Sequence, residues 1–144
     1  NEEYLNAWQR GCTGFASVDA CQRFLHQTGW LNMRARATLV SFACVQLGLP
    51  WRPVALYLAQ QFLDFEPAIH YGQVRIASGT SHFSQMLVYD PMKQQVEQDP
   101  KGEFVKRWLP EYGTANYPEP IVDNAESLKL GKARLHAMRQ NRLL

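Results

Sequence analysis

The stretch TGWLNMRARA, residues 28–37, runs directly into ATLVSFACVQLGL, residues 37–49. The second segment is apolar on nearly every side, the pattern of a helix buried in a core. The helix is expected from about Asn32 to Leu47, and Gly48 through Pro50 break it. Arg34 and Arg36 therefore stand at the mouth of a buried element, where long charged side chains are rarely found without a partner. Two residues apart on a helix, they point about 200° from one another. One faces solvent while the other looks into the bundle.

The partner is sought downstream. Pro53 suits the first turn of a second helix through VALYLAQQFLDF, and LDFEPAIH then offers Asp64, Glu66 and His70. Two helices joined by a short loop run antiparallel, so the end of the second returns to the start of the first. Topology alone brings Asp64 to Arg36. On spacing alone, a structural salt bridge and a polar ligand site both remain open, since a buried Arg–Asp pair is stable only with good geometry and further hydrogen bonds.

Period-3.6 patterns dominate and strand-like alternation is scarce, so the fold class is all-α, an irregular multi-helix bundle. NEEYLNAWQR reads as a short helix ending at Gly11. Ser17 and Asp19 are candidate caps for a helix through ACQRFLHQ that Thr28-Gly29 ends. From Pro67 to Pro100 the glycines, serines and aromatics are too irregular for one long element, and a loop of that length tends to be functional. KGEFVKRWLPEY is a short helix stopped by Pro110. Asp123 or Asn124 caps a last amphipathic helix, AESLKLGKARLHAMRQNRL.

A chain of 144 residues is one domain's worth, residues 1–144. Its first residue is Asn1 rather than Met, which implies a fragment of a longer polypeptide. No apolar run reaches the roughly 18 residues of a membrane span. Three widely spaced cysteines without a C-x-x-C pair argue for reduced thiols in a cytoplasmic protein, with Cys44 in the core. The four histidines show no metal-ligand spacing, so no metal site is expected. Residues 124–144 carry five Lys/Arg against one Glu, +4, which leaves −2 for residues 1–123 of the overall +2. Such a basic tail serves as a solvated face or meets phosphates. A non-flavin helical module touching nucleic acid through this basic C-terminal helix is the alternative to the reading that follows. Trp8, Trp30 and Trp108 are expected to pack, as is Met33, and His82 is expected at the surface.

WQRGCTGFASVDACQRFLHQTGW resembles the segment W-Q-x-G-x-T-G-x-x-x-V-D-A-x-x-R-x-L-x-x-T-G-W of the photolyase/cryptochrome family. The likeness continues in family order through RARATLVSFACVQLGLPWR, the acidic D-x-[DE] loop, DPKGEFVKRWLPEY and YPEPIVD. It covers nearly the whole chain and matches the C-terminal half of the helical FAD-binding domain.

The resemblance implies FAD as cofactor, and a flavoprotein of blue-light DNA repair or light sensing. If the protein is an enzyme, its reaction would be photolyase-like, a light-driven electron transfer from reduced FAD. Arg36 and Asp64 match a pair beside the flavin ring, where a fixed guanidinium favours a negatively charged reduced flavin. Glu66 matches an acidic position at the ring edge, and His70 the residue facing ring nitrogen N5. Asn32 and Arg34 match the polar start of the same helix. The implied catalytic group is thus Arg36, Asp64 and His70, within a cofactor set that adds Asn32, Arg34 and Glu66. Trp51 matches the middle tryptophan of the family's electron-transfer chain. The sequence departs from the family at Met33, which replaces an Asn, at Ala37, which replaces a Met, and at Val74-Arg75-Ile76, which replaces W-Q-W. The family's T-S-x-L-S and W-R-E-[FL] segments do not occur here. The implied partners are FAD, the N-terminal part of the same protein and DNA, with no membrane.

Overall fold

The computed structural model describes residues 1–82 and 87–141, and among these it is all-α. α1 (Glu2–Arg10) begins on Asn1, whose side chain accepts from the Glu3 and Tyr4 amides, and it ends at Gly11 in the left-handed region. α2 (Ala16–Thr28) corrects an expectation: its N-cap is Phe15, and neither Ser17 nor Asp19 caps it. Ser17 donates to the Pro91 carbonyl at 2.9 Å. Asp19 is fully buried and gathers four donors: the Thr13 amide and hydroxyl, the Gly14 amide and the Tyr117 hydroxyl. Burial pushes its carboxyl up, against the pull of those hydrogen bonds. The carboxylate ties the α1–α2 turn to Tyr117, a tertiary role that a capping pattern does not reveal.

α3 (Met33–Ser41) starts on Asn32, whose Oδ1 accepts from the Ala35 amide at 2.9 Å. It continues into a π-helical turn, Phe42–Gln46, and stops at Gly48. The wider turn changes the hydrogen-bond register. α8 (Asn124–Gln140), capped by Asp123, meets this end: Arg134 donates to the Val45 carbonyl at 2.7 Å and to the Gln46 carbonyl at 3.5 Å. A positive side chain at a helix C-terminus also complements its dipole. A Cβ at Gly131 would overlap the Val45 carbonyl, so only glycine lets α8 approach this closely. One of the tail's basic residues therefore ties α8 to the end of α3 while staying exposed. Arg142 lies outside the described residues.

α4 (Trp51–Gln61) carries Pro53 in its first turn. The stretch from Pro67 to Pro100 is more ordered than expected. It holds α5 (Pro67–Ala77), capped by Glu66, and α6 (Pro91–Gln98), capped by Asp90. Proline at the first helical position is preorganised for a helix start, and here it follows an acidic cap twice. Residues 83–86 of that stretch lie outside the described residues. α7 (Glu103–Trp108) ends before Pro110.

The core joins Trp8, Phe15, Leu25, Leu39, Phe42, Val54 and Leu58 from α1 to α4 and the loops between them. A smaller cluster, Ala16, Ala20, Val105 and Leu109, fixes α7 on α2, with Trp108 packed against it. Trp8 is fully buried, and Cys44 is packed against the core, burial pushing its thiol up to about 12. Trp30 and Met33 depart from expectation: both are at least half exposed. His82 is exposed. The Leu63 amide donates to the Gly29 carbonyl at 3.0 Å, so the end of α4 is pinned against the turn that precedes α3. That bond fixes the site's geometry.

Candidate functional site

α3, α4 and α5 enclose a cleft of about 170 Å³ with Arg36, Asp64, Glu66 and His70 on its lining. Its walls are apolar, from Val40, Leu58, Phe62 and Val74. Arg36 is held from three directions. Its Nε donates to the Leu31 carbonyl at 2.7 Å, and its Nη2 donates to both Asp64 oxygens, at 2.8 and 3.0 Å. The guanidinium carbon lies 4.0 Å from the centre of the Phe62 ring, cation–π geometry. The pair is uneven in burial: the Arg36 side chain is 19% exposed, that of Asp64 49%. The Arg36 hydrogen bond holds the Asp64 carboxyl below its ordinary value. Among the described residues Arg36 Nη1 makes no hydrogen bond, which leaves two N–H donors on a rigidly oriented cation.

Glu66 caps α5, its Oε2 accepting from the Ile69 amide at 2.8 Å, so one carboxylate oxygen is committed to the fold. His70 is buried, with Nε2 2.8 Å from the Ala55 carbonyl. A carbonyl only accepts, so Nε2 carries the hydrogen, and in the neutral ring Nδ1 is the acceptor. The imidazole is ringed by Phe62, Phe65 and Tyr71 at centroid distances of 5.8, 5.3 and 5.3 Å. The cleft thus presents fixed donors, an exposed carboxylate and an apolar floor, the chemistry that binds and orients a flat polar-edged ring.

The structure does not bring every expected site residue here. Asn32 and Arg34 line a second, larger cleft of about 310 Å³, enclosed by α2, the start of α3, α6 and α7. Asn32 is committed to capping, and Arg34 lies 3.7 Å from Glu97 on α6. Trp51 lines neither cleft; it opens α4, packs against the core and has the Arg52 guanidinium 5.1 Å from its ring. Phe62 is a lining residue that the sequence reading missed, while Val74, read there as the replacement for the family's first W of W-Q-W, forms part of the wall. Phe62, two positions before Asp64, follows Leu58 at i+4, a helical spacing that was available as a signal.

Residues 1–114 match the family model of the FAD binding domain of DNA photolyase. The chain belongs to the photolyase/cryptochrome family. It is 31% identical to the deoxyribodipyrimidine photo-lyase of Escherichia coli, with 99% of this chain covering 34% of that protein. It is 33% identical to cryptochrome-1 of Arabidopsis thaliana, over 94% of this chain and 23% of that one. Among solved structures, the archaeal photolyase from Sulfolobus tokodaii, described with two FAD molecules, superposes with a TM-score of 0.89 at 31% identity, over 95% of this chain and 35% of that one. The chain spans about a third of the length of the photolyases it matches. The fold class read from the sequence stands, and FAD is the cofactor of this domain family. Among the described residues no helix is long and apolar enough to cross a membrane.

Proposed function

We propose that the Arg36–Asp64 cleft forms one wall of the flavin site in a cytoplasmic flavoprotein that uses blue light, for DNA repair or for light sensing. The observation that carries this reading is the Arg36 guanidinium, fixed by Leu31, Asp64 and Phe62 while its Nη1 donors stay available. The donor set fits a flavin ring: cationic N–H groups suit its carbonyl and ring-nitrogen edge, and the aliphatic walls suit its faces. At about 170 Å³ the cleft is smaller than the roughly 300 Å³ at which ligand pockets begin. The other walls therefore belong to the rest of the longer polypeptide. When bound, FAD would supply light absorption and one-electron chemistry.

The residues of this chain would bind and orient. Arg36 directs positive charge at the ring edge, Asp64 keeps the guanidinium in one orientation, and Phe62 fills the space beneath it. His70 presents Nδ1 as an acceptor. Glu66 contributes its uncommitted oxygen. Asn32 and Arg34, on the other side of α3, fall outside this set. DNA is the proposed macromolecular partner of the whole protein, supported by the photolyases among its relatives. The rival reading, a non-flavin nucleic-acid module using α8, is weakened by Arg134, which is engaged with the end of α3.

FAD titration of this chain and of the natural full-length polypeptide tests the proposal. A yellow full-length protein that binds FAD, and loses it on Arg36→Ala, supports it. A colourless full-length protein that FAD does not titrate overturns it.

A further inference from the structure

Phe62 lines the Arg36–Asp64 cleft, and its ring does more there than fill volume. The hydrogen bonds of Arg36 all leave one edge of the guanidinium. Nε donates to the Leu31 carbonyl at 2.7 Å, and Nη2 donates to the Asp64 oxygens at 2.8 and 3.0 Å. Anchors along a single edge of a planar fork fix its position but hold its tilt about that edge only weakly. Nη1 lies off the anchored edge, so a change of tilt swings its donors through an arc. A group that sets the tilt must press on the face of the plane. The Phe62 ring does so, with the guanidinium carbon 4.0 Å from its centre.

The ring is itself held in place. Phe62 is 5% exposed, and its amide donates to the Leu58 carbonyl at 3.0 Å. The amide of the next residue, Leu63, donates to the Gly29 carbonyl at 3.0 Å, so the backbone is pinned on both sides of the ring. The same ring packs against His70, with centroids 5.8 Å apart and planes at 70°. One rigid aromatic thus braces both the cation and the imidazole that line the cleft. The face of an aromatic ring is negative and attracts a cation, more strongly where both are withdrawn from water. That condition is met, since the Arg36 side chain is only 19% exposed. A leucine in this place would be as apolar but would offer no such face.

We propose, on the reading of this cleft as a flavin wall, that Phe62 is a positioning residue: its ring face sets the tilt of the Arg36 guanidinium and so the direction in which the Nη1 donors meet the flavin edge. FAD titration of the natural full-length polypeptide, followed by flavin fluorescence, tests it. Phe62→Leu weakens FAD binding roughly three- to ten-fold, the range of a partly desolvated cation–π contact. Phe62→Tyr keeps the aromatic face and binds FAD as the unaltered protein does. In an Arg36→Ala background Phe62→Leu costs nothing further, as a residue acting only through the cation requires. In the flavin-free protein, the side-chain N–H order parameter of isotope-labelled Arg36 falls in Phe62→Leu and is kept in Phe62→Tyr. Helical circular dichroism checks each variant's fold, and if Phe62→Leu fails to fold, Phe62→Met takes its place. Full FAD affinity in Phe62→Leu overturns the proposal. So does a loss that persists undiminished in the Arg36→Ala background, or an unchanged Arg36 order parameter. An unaltered protein that binds no FAD fells the flavin reading and this proposal together, whereas FAD binding that Phe62→Leu leaves intact fells this proposal alone.

Discussion

Arg34 and Arg36 are two residues apart on one helix, yet they live in different electrostatic settings. Arg36 has a side chain only 19% exposed and donates to a backbone carbonyl and a carboxylate. Arg34 reaches into the other cleft, with a side chain 52% exposed and one ion pair at 3.7 Å. The helical period, which sends alternate residues to opposite sides, decides this difference before any chemistry acts. The same charge is therefore an oriented instrument on one side of α3 and a solvated group on the other. Desolvation is what separates them, because an interaction screened by water is worth little.

Arg36→Ala tests that difference most severely. Its loss removes two charge-assisted interactions and leaves the Leu31 carbonyl and the Asp64 carboxylate without their donor. Charged hydrogen bonds contribute roughly 1.5–3 kcal/mol each, so FAD affinity should fall about ten- to hundred-fold, with a drop in melting temperature. Flavin fluorescence during titration measures the first and thermal denaturation the second. Arg36→Lys should recover only part of the affinity, because an ammonium cannot hold the Leu31 carbonyl and both Asp64 oxygens in one plane. Full recovery by lysine would show that charge alone matters and that the orientation is incidental.

Asp64→Asn should have a smaller effect. Arg36 keeps its Leu31 hydrogen bond and its Phe62 face, so the guanidinium stays near its place but gains rotational freedom. An affinity loss of roughly three- to ten-fold is expected, about 1 kcal/mol. A loss as large as that of Arg36→Ala would instead make the carboxylate a direct ligand.

The pair also writes itself into the acid limb of stability. The folded-state carboxyl of Asp64 lies below its ordinary value of 3.8. The unfolded chain therefore binds more protons in that window, and stability falls as the pH drops below about 3.8. Half-exposed as Asp64 is, the contribution is at most about 1 kcal/mol. Asp64→Asn should flatten that part of the urea-unfolding profile against pH. The Arg23–Glu111 pair, where the arginine lowers the Glu111 carboxyl in the same sense, should leave a residual slope.

Much of this arrangement was legible in the residues. The all-apolar run after Arg36 announced a buried helix, and the short return through α4 placed Asp64 beside it. Less legible was how the Arg36 guanidinium would be held, since the Leu31 carbonyl and the Phe62 ring that fix it meet it only through tertiary packing. The helix α5 was missed because Gly72 and the aromatics obscure its period, although Glu66-Pro67 is an N-terminal signal and His70, Val74 and Ala77 follow at helical spacing. Asp19 misled for a different reason: a carboxylate near a helix start reads as a cap, and nothing local foretells a tyrosine hydroxyl from 98 residues away. Asn32 and Arg34 belong to the same motif as Arg36, but a motif is contiguous in sequence and a cleft is not.

Arg34→Ala gives the smallest expected effect and the sharpest contrast. Its ion pair with Glu97 is half exposed on both sides, at 52% and 40%, and lies near the distance limit for such a bridge. Exposed pairs contribute roughly 0–1 kcal/mol, so stability should change by less than about 0.5 kcal/mol. FAD affinity should not move, because the residue faces the cleft across α3 from Arg36. Differential scanning calorimetry and FAD titration of Arg34→Ala beside Arg36→Ala make the comparison direct. A flavin defect in Arg34→Ala comparable to that of Arg36→Ala would mean that the bound ring reaches over the helix mouth to both arginines. The two sides of α3 would then act as one site, and the division drawn by the helical period would fail.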